Sequence, residues 1–212
     1  MGNITGYIGK IIRVNLSSGD IKIENLNLDL ARDFVGGSGF GIKYIYDEVP
    51  PETDPLSEQN KICFFTGPLV GTPSPSTGRY MVCSKSPLTN MYGEACSGGF
   101  WGSELKFSGF DGIIVEGIAE TPKYLWIHNG EVELKDASSL WGKDTFETEA
   151  QIKNVLDDNK IRTASIGPAG EKLVKMAAVI NDMGRAAGRT GMGAVMGSKK
   201  LKAIACRGTN KV

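Results

Sequence analysis

The chain has 212 residues, with 24 Lys plus Arg against 24 Asp plus Glu, one histidine, 41% apolar residues and 23% charged ones. Those values describe a soluble globular protein with a sizeable core, and they exclude disorder, collagen-like repetition and a basic field able to gather nucleic acid. No apolar run reaches the length of about 18 residues that spans a bilayer, and the start MGNITGYIGK has no basic stretch leading into an apolar one. No membrane association is expected, and the cytoplasm is the expected location.

The first element, GKIIRVNLSSGDIKIENL, alternates apolar and polar residues on either side of Ser17-Ser18-Gly19-Asp20, the pattern of a β-hairpin with one buried face. LDLARDFVGGSGFGIKYIYDEV spaces Leu30, Phe34, Ile42, Ile45 and Tyr46 helically but interrupts them with Gly36, Gly37, Gly39 and Gly41, which predicts two short helices hinged at glycine. PPETDPLSEQN is turn chemistry, and KICFFTGPL is a buried strand entering a loop. RYMVCSKSP predicts a further strand, and SGGFWGSELKFSGFDGIIVEG a Gly-rich helix feeding a strand at Gly112 to Glu116. KYLWIHNGEVEL predicts a hairpin around Asn129-Gly130, which makes the single histidine, His128, structural or superficial. Asp144 and Glu147 have the spacing of a capping box for a helix near Phe146 to Leu156, with Phe146, Ala150, Ile152 and Leu156 as its apolar face. RTASIGPAG is again a strand running into a Gly-Pro loop, KMAAVIND a strand, and GRAAGRTGMGAVMGSKKLKAIACRG a Gly-rich helix followed by a strand.

The order of these segments contains a repeat. Thr66 to Gly71 (TGPLVG) is echoed by Ile166 to Gly170 (IGPAG), Gly78-Arg79 by Gly184-Arg185, and Leu105-Lys106 to Gly117 by Leu201-Lys202 to Gly208. A period of about a hundred residues is too long for a solenoid, so the pattern predicts two related halves, roughly 1–118 and 119–212. The expected fold class is α+β, each half a mixed β-sheet with short Gly-rich helices, the halves related by a pseudo-twofold axis. Two similar halves suit two similar ligands, or one ligand with two similar ends.

Each half sets an arginine beside glycine and follows it with small residues, Cys96-Ser97-Gly98-Gly99 and Ala186-Ala187-Gly188-Arg189, where a helix is expected to begin. Backbone N–H groups at such a point can converge on an anion, and arginine adds bidentate contacts to phosphate. Glycine there serves close strand-helix packing equally well. Gly191-Met192-Gly193 lacks the third glycine of a dinucleotide fingerprint, and Gly197-Ser198-Lys199 reverses the order a P-loop requires. Cys63, Cys83, Cys96 and Cys206 lie far apart with no metal-binding spacing, and all but Cys96 sit in apolar runs suited to buried thiols. Glu104, Lys106 and Asp111 lie near the glycine-rich segments and are read as structural or solvated; no residue of the chain is expected to be catalytic.

GPLVGTPSPSTGRYMVCSKSPLT, CSGGFWGSELKFSGFDGIIVEG and ASIGPAGEKLVKMAAVINDMGRAAGRTGMGAVMGSKKLKAIA resemble the N-terminal domain of the aldehyde ferredoxin oxidoreductase family over nearly the whole chain. The resemblance implies a base domain carrying tungsten or molybdenum held by the dithiolenes of two pterins. Carried over motif by motif, it makes Arg79, Gly98, Arg185, Ala186, Gly188 and Arg189 ligands of the pterin phosphates. A magnesium ion bridging those phosphates would take the backbone carbonyls of Cys96 and Ala186, a hard-oxygen donor set that suits it. Position 96 is often Asn in the family, but a carbonyl ligand does not depend on the side chain. The 4Fe-4S cysteines, acid-base residues and substrate channel are expected in later domains, so this chain alone is expected to be inactive and to work with those domains or with a subunit that carries them. The implied reaction is oxidation of an aldehyde to a carboxylic acid with ferredoxin as acceptor, although the family also includes reductases of aromatic acyl thioesters. The rival readings are a non-catalytic subunit or scaffold for a pterin, and a domain binding another phosphorylated ligand. The sequence leaves open whether two copies pair as a homodimer, and it does not choose between tungsten and molybdenum.

Overall fold

The alternating first segment forms the predicted hairpin of β1 (Lys10–Asn15) and β2 (Asp20–Asn25), but β1 is covered on both faces and not on one, with Ile12 and Val14 entering one apolar cluster and Ile11 another on the opposite side. In the computed structural model, which describes residues 5–212, this hairpin opens a six-stranded sheet. The sheet is completed by β3 (Ile62–Thr66), β4 (Tyr80–Lys85), β5 (Tyr92–Ser97) and β6 (Gly112–Glu116), in the order β2-β1-β6-β3-β4-β5, with only β1 and β6 parallel. The two glycine-hinged helices are α1 (Leu28–Phe34) and α2 (Ser38–Glu48), and a third, α3 (Trp101–Phe107), links β5 to β6. Residues 1–4 of the start lie outside the described residues.

The second half rebuilds this arrangement. A hairpin of β7 (Lys123–His128) and β8 (Glu131–Asp136) turns at Asn129-Gly130, both with positive φ, as the Asn-Gly pair predicts. After α4 (Thr145–Val155) come β9 (Arg162–Ser165), α5 (Pro168–Glu171), β10 (Val179–Asn181), β11 (Arg185–Ala187), α6 (Met192–Ser198) and β12 (Leu201–Arg207). The strand order β8-β7-β12-β9-β10-β11 is that of the first sheet, element for element, and its parallel pair is again the hairpin's first strand with the last strand. The fold is thus α+β with two mixed six-stranded sheets.

Strand register corrects how the repeat aligns. Phe65 pairs with Met81 and Met81 with Cys96, while Ser165 pairs with Ile180 and Ile180 with Ala186, so Cys96 and Ala186 are equivalent. The two Gly-Arg pairs are not: Arg79 leads into β4, whereas Arg185 opens β11. Leu105-Lys106 lies in α3 and Leu201-Lys202 in β12, so the Leu-Lys part of that match is accidental, whereas the strands that end before Gly117 and Gly208, β6 and β12, are equivalent; the counterpart of α3 is α6. The expected helix starts at Cys96–Gly99 and Ala186–Arg189 are instead the ends of strands β5 and β11, with helices beginning at Trp101 and Met192.

One apolar cluster runs through both halves, taking Phe64, Tyr80 and Trp101 from the first and Val179, Met196 and Ile204 from the second. It forms because α3 packs on β9 and β12 while α6 packs on β3, β4 and β5. Gly197 of α6 makes the close packing possible: a Cβ there would stand 1.9 Å from the carbonyl oxygen of Gly170 in α5. A second cluster lies under α1 and α2 and a third under α4. Of the predicted stripe of α4, Ile152 is buried and Leu156 packs partly buried beside it, whereas Phe146 and Ala150 face solvent and Thr148 and Glu149 are buried instead. Glu149 turns inward because Thr163 and Lys153 pair with it. The capping box is present: Glu147 N–H donates to Asp144 at 2.8 Å and Glu147 accepts from Asp144 N–H at 3.2 Å. Asp144→Ala is expected to destabilise the fold by about 1 kcal/mol, read as a small fall in the urea midpoint at unchanged slope.

Buried charges are tied off internally. Lys106 and Asp111 pair at 2.9 Å in the interior, and Asp111 also accepts the N–H groups of Ile8 and Gly9. Glu104 accepts from Arg207 and from Gly208 N–H, so these residues are structural, as read. Lys199, of the reversed P-loop motif, is buried and directs its ammonium at the carbonyls of Ser57, Glu58 and Gly117. Burial lowers its pKa to about 8, opposed by the negative Glu116 and helped by Lys61. The folded chain therefore binds fewer protons at this site than the unfolded chain between pH 8 and 10.5, so the Lys199 contribution rises with pH across that window. Lys202 is also depressed by burial, so the test is a difference. Wild type minus Lys199→Met, followed by urea unfolding, is expected to show a positive slope of at most about 1.4 kcal/mol per pH unit, confined to that window.

Candidate functional site

Strands β5 and β11 are the edge strands of their two sheets, and they meet along a seam. Thr190 donates to the carbonyl of Glu94 at 3.3 Å, and Ser86 donates to the carbonyl of Thr190 at 2.7 Å. At the other end Asn181, the cross-strand partner of Arg185, donates to the carbonyl of Gly98 at 2.8 Å. The strands therefore run past each other in opposite directions, with Arg185 near the Gly98 end and Thr190 near Glu94. Edges that would otherwise invite pairing with another chain are set against one another here.

All the sequence-predicted site residues fall on this seam. Arg79, Cys96, Arg185, Ala186, Gly188 and Arg189 are exposed, and Gly98 is partly so. Cys96 and Ala186 stand at matched positions one residue before the ends of β5 and β11, each followed two residues later by glycine, Gly98 and Gly188. Arg79 reaches Cys96, its guanidinium 3.5 Å from the thiol sulfur. What sequence reading missed is the state of the arginines. Of the seven in the chain, Arg13, Arg32, Arg162 and Arg207 form ion pairs, whereas Arg79, Arg185 and Arg189 form none among the described residues. Three guanidiniums without carboxylate partners on one exposed seam suit an anionic ligand, and two matched backbone positions suit a ligand with two similar ends. The residues present fit a bis-phosphate ligand.

The anticipated anion site at the first glycine-rich helix is filled from within the chain. The carboxylate of Asp182 accepts the N–H of Phe100 at 2.6 Å and of Trp101 at 3.0 Å, taking the start of α3. Gly99, at φ 95, is required for that approach, since a Cβ would lie 2.3 Å from the Asp182 oxygen. A phosphate in the first half would rely on Arg79 and the strand end at Cys96 to Gly98, not on the helix terminus. The signal was the Asn-Asp-Met-Gly string before Arg185, some 80 residues away from the loop it caps.

Thiolate ligation by the other cysteines is disfavoured, because burial pushes the thiols of Cys63 and Cys206 well up and that of Cys83 up to about 12. Among the described residues no three His, Cys, Asp or Glu side chains come together as a metal cage, and no helix is long and apolar enough to cross a membrane.

Residues 11–208 match the model of the aldehyde ferredoxin oxidoreductase N-terminal domain. Over 207 residues the chain is 54% identical to the tungsten-containing aldehyde ferredoxin oxidoreductase of Pyrococcus abyssi, covering 98% of this chain and 34% of that protein. It is 36% identical to the aliphatic sulfonate oxidoreductase, WOR-like subunit, of Pyrococcus furiosus, over 96% of this chain and 35% of that protein. Among solved structures it is similar to the active site complex BamBC of benzoyl coenzyme A reductase in complex with 1,5-dienoyl-CoA, with a TM-score of 0.96 and 38% identity over 98% of this chain and 32% of that one. The chain spans about one third of the length of these relatives.

Proposed function

From the premise that this chain belongs to the aldehyde ferredoxin oxidoreductase family, as its N-terminal domain, we propose that it is the pterin-binding base of a tungsten oxidoreductase acting on aldehydes. The observation that carries the reading is the seam of three unpaired arginines beside two register-equivalent strand ends. When bound, the metal and its two pterins would supply the two-electron redox chemistry by which an aldehyde becomes a carboxylic acid, with ferredoxin as acceptor.

What this chain would supply is binding and orientation. Arg79 would hold a phosphate in the first half, and Arg185 with Arg189 one in the second, each guanidinium offering paired N–H donors. Gly98, Gly188 and Ala186 would let the backbone come close to those phosphates, because small residues leave their N–H groups accessible. The backbone carbonyls of Cys96 and Ala186 would hold a magnesium ion, and their register equivalence suits a site that takes one oxygen donor from each half. Proton transfer and cluster ligation would fall to other parts of the enzyme. The higher identity to aldehyde oxidoreductases than to the sulfonate and acyl-CoA enzymes favours an aldehyde over those substrates.

Elemental analysis with pterin fluorescence tests the reading, on protein purified without oxygen from its native host with whatever copurifies. Tungsten with about two pterins per metal is the expected result. A metal-free, pterin-free preparation that still contains its native partners would refute it.

A further inference from the structure

We propose that Asp182, together with Asn181, is a positioning residue of the cofactor site. It fixes the Gly98–Trp101 loop of the first half from the same turn that launches Arg185 in the second, so that the two phosphate-binding segments are set as one unit. The proposal rests on the cofactor reading above.

The turn between β10 and β11 is doubly committed. On one side, Asp182 accepts both N–H groups at the start of α3, and the Asn181 amide reaches into the first half with both ends: its oxygen accepts from Ser97 at 2.6 Å and Tyr80 at 2.9 Å, and its nitrogen donates to the carbonyl of Gly98. The same nitrogen donates to Asp182 at 2.7 Å, locking the two side chains together. On the other side, only Met183 and Gly184 separate Asp182 from Arg185, and the turn is taut. Asp182 at φ 44, Met183 at φ 59 and Gly184 at φ 115 are three successive left-handed residues, two of them not glycine. Such a turn persists only where its surroundings hold it, and here those surroundings are the loop that carries Gly98. Arg162 completes the device, with its guanidinium 3.4 Å from the second Asp182 oxygen and 5.0 Å over the ring of Phe100. Release of Asp182 would free the Gly98 loop and relax the turn before Arg185 together, although neither Asp182 nor Asn181 need touch the ligand.

The test uses the enzyme carrying its cofactor and follows pterin release by fluorescence after dilution into EDTA. Asp182→Ala is expected to release pterin about tenfold faster than wild type, and Asp182→Asn, which keeps an oxygen acceptor, to stay within about threefold of it. Asn181→Ala provides an independent cut of the same link, with the same expected direction, should Asp182→Ala fail to fold. Ile152→Ala, in the cluster beneath α4, lowers stability away from the seam and is expected to leave release unchanged. Hydrogen exchange on the cofactor-free protein is expected to quicken in Asp182→Ala at Phe100 and Trp101 and also at Arg185 to Gly188. Wild-type release rates in both Asp182→Ala and Asn181→Ala, or equal acceleration by Ile152→Ala, would overturn the positioning role while leaving the cofactor reading standing. A wild-type enzyme that carries no pterin would overturn both.

Discussion

Replacing Arg79 and Arg185 together with alanine is expected to strip the enzyme of cofactor, lowering retained tungsten and pterin by about a hundredfold or more, while leaving the fold unchanged. Each arginine is exposed and without a carboxylate partner, so its removal leaves no buried charge orphaned and costs within about 0.5 kcal/mol of stability. Toward a phosphate, each would make charge-assisted hydrogen bonds worth about 1.5–3 kcal/mol, and two such losses correspond to at least about a hundredfold in affinity. Arg79→Lys should fall between, since an ammonium keeps the charge but loses the paired donors of the guanidinium. The readout is metal and pterin per chain after anaerobic purification, with circular dichroism and the unfolding midpoint as controls. Full cofactor content in the double variant would remove both arginines from the site. Loss of cofactor together with a large fall in the midpoint would show instead that the substitutions act through the fold.

Much of this architecture could be read from local pattern. The Asn129-Gly130 hairpin, the Asp144–Glu147 capping box and the glycine hinge between α1 and α2 are set by neighbours in sequence, and each stands where it was expected. The duplication was visible because Thr66-Gly67-Pro68 and Ile166-Gly167-Pro168 end equivalent strands, and both backbones bond across to the last strand of their sheet. Its alignment was not, because Arg79 and Arg185 look alike only as letters; their strands are assigned by register, a long-range property. β5 and β11 were missed for a related reason. Tyr92–Ser97 does alternate in burial, but its inward positions are Gly93, Ala95 and Ser97, too small or polar to mark a strand by their letters, and Arg185–Ala187 is only three residues long. The occupant of the α3 start was equally hidden, since Asp182 lies far along the chain. Which arginines are paired can only be known once every carboxylate has been placed.

The strongest structural expectation concerns Trp101, because it decides whether the two halves unfold as one. The indole is fully buried, its ring 4.4 Å from Tyr80 and 5.8 Å from Phe64 by centroid, and its N–H donates to the carbonyl of Ile204 at 3.0 Å. It thus belongs to the first half by sequence and to both by packing. Trp101→Ala is expected to cost about 3–5 kcal/mol, combining lost burial with the cavity left among side chains that cannot all collapse into it, and it removes the indole hydrogen bond to Ile204. For a chain of this length that is a fall of about 10 °C in the unfolding midpoint. The more telling measurement is hydrogen exchange along β3 and β9, the equivalent central strands of the two sheets. If the shared cluster makes one cooperative unit, protection falls by the same factor in both strands, even though the deleted side chain comes from only one half. A fall confined to β3 would mean that each sheet holds its own stability, and that the seam joins two independently folding halves.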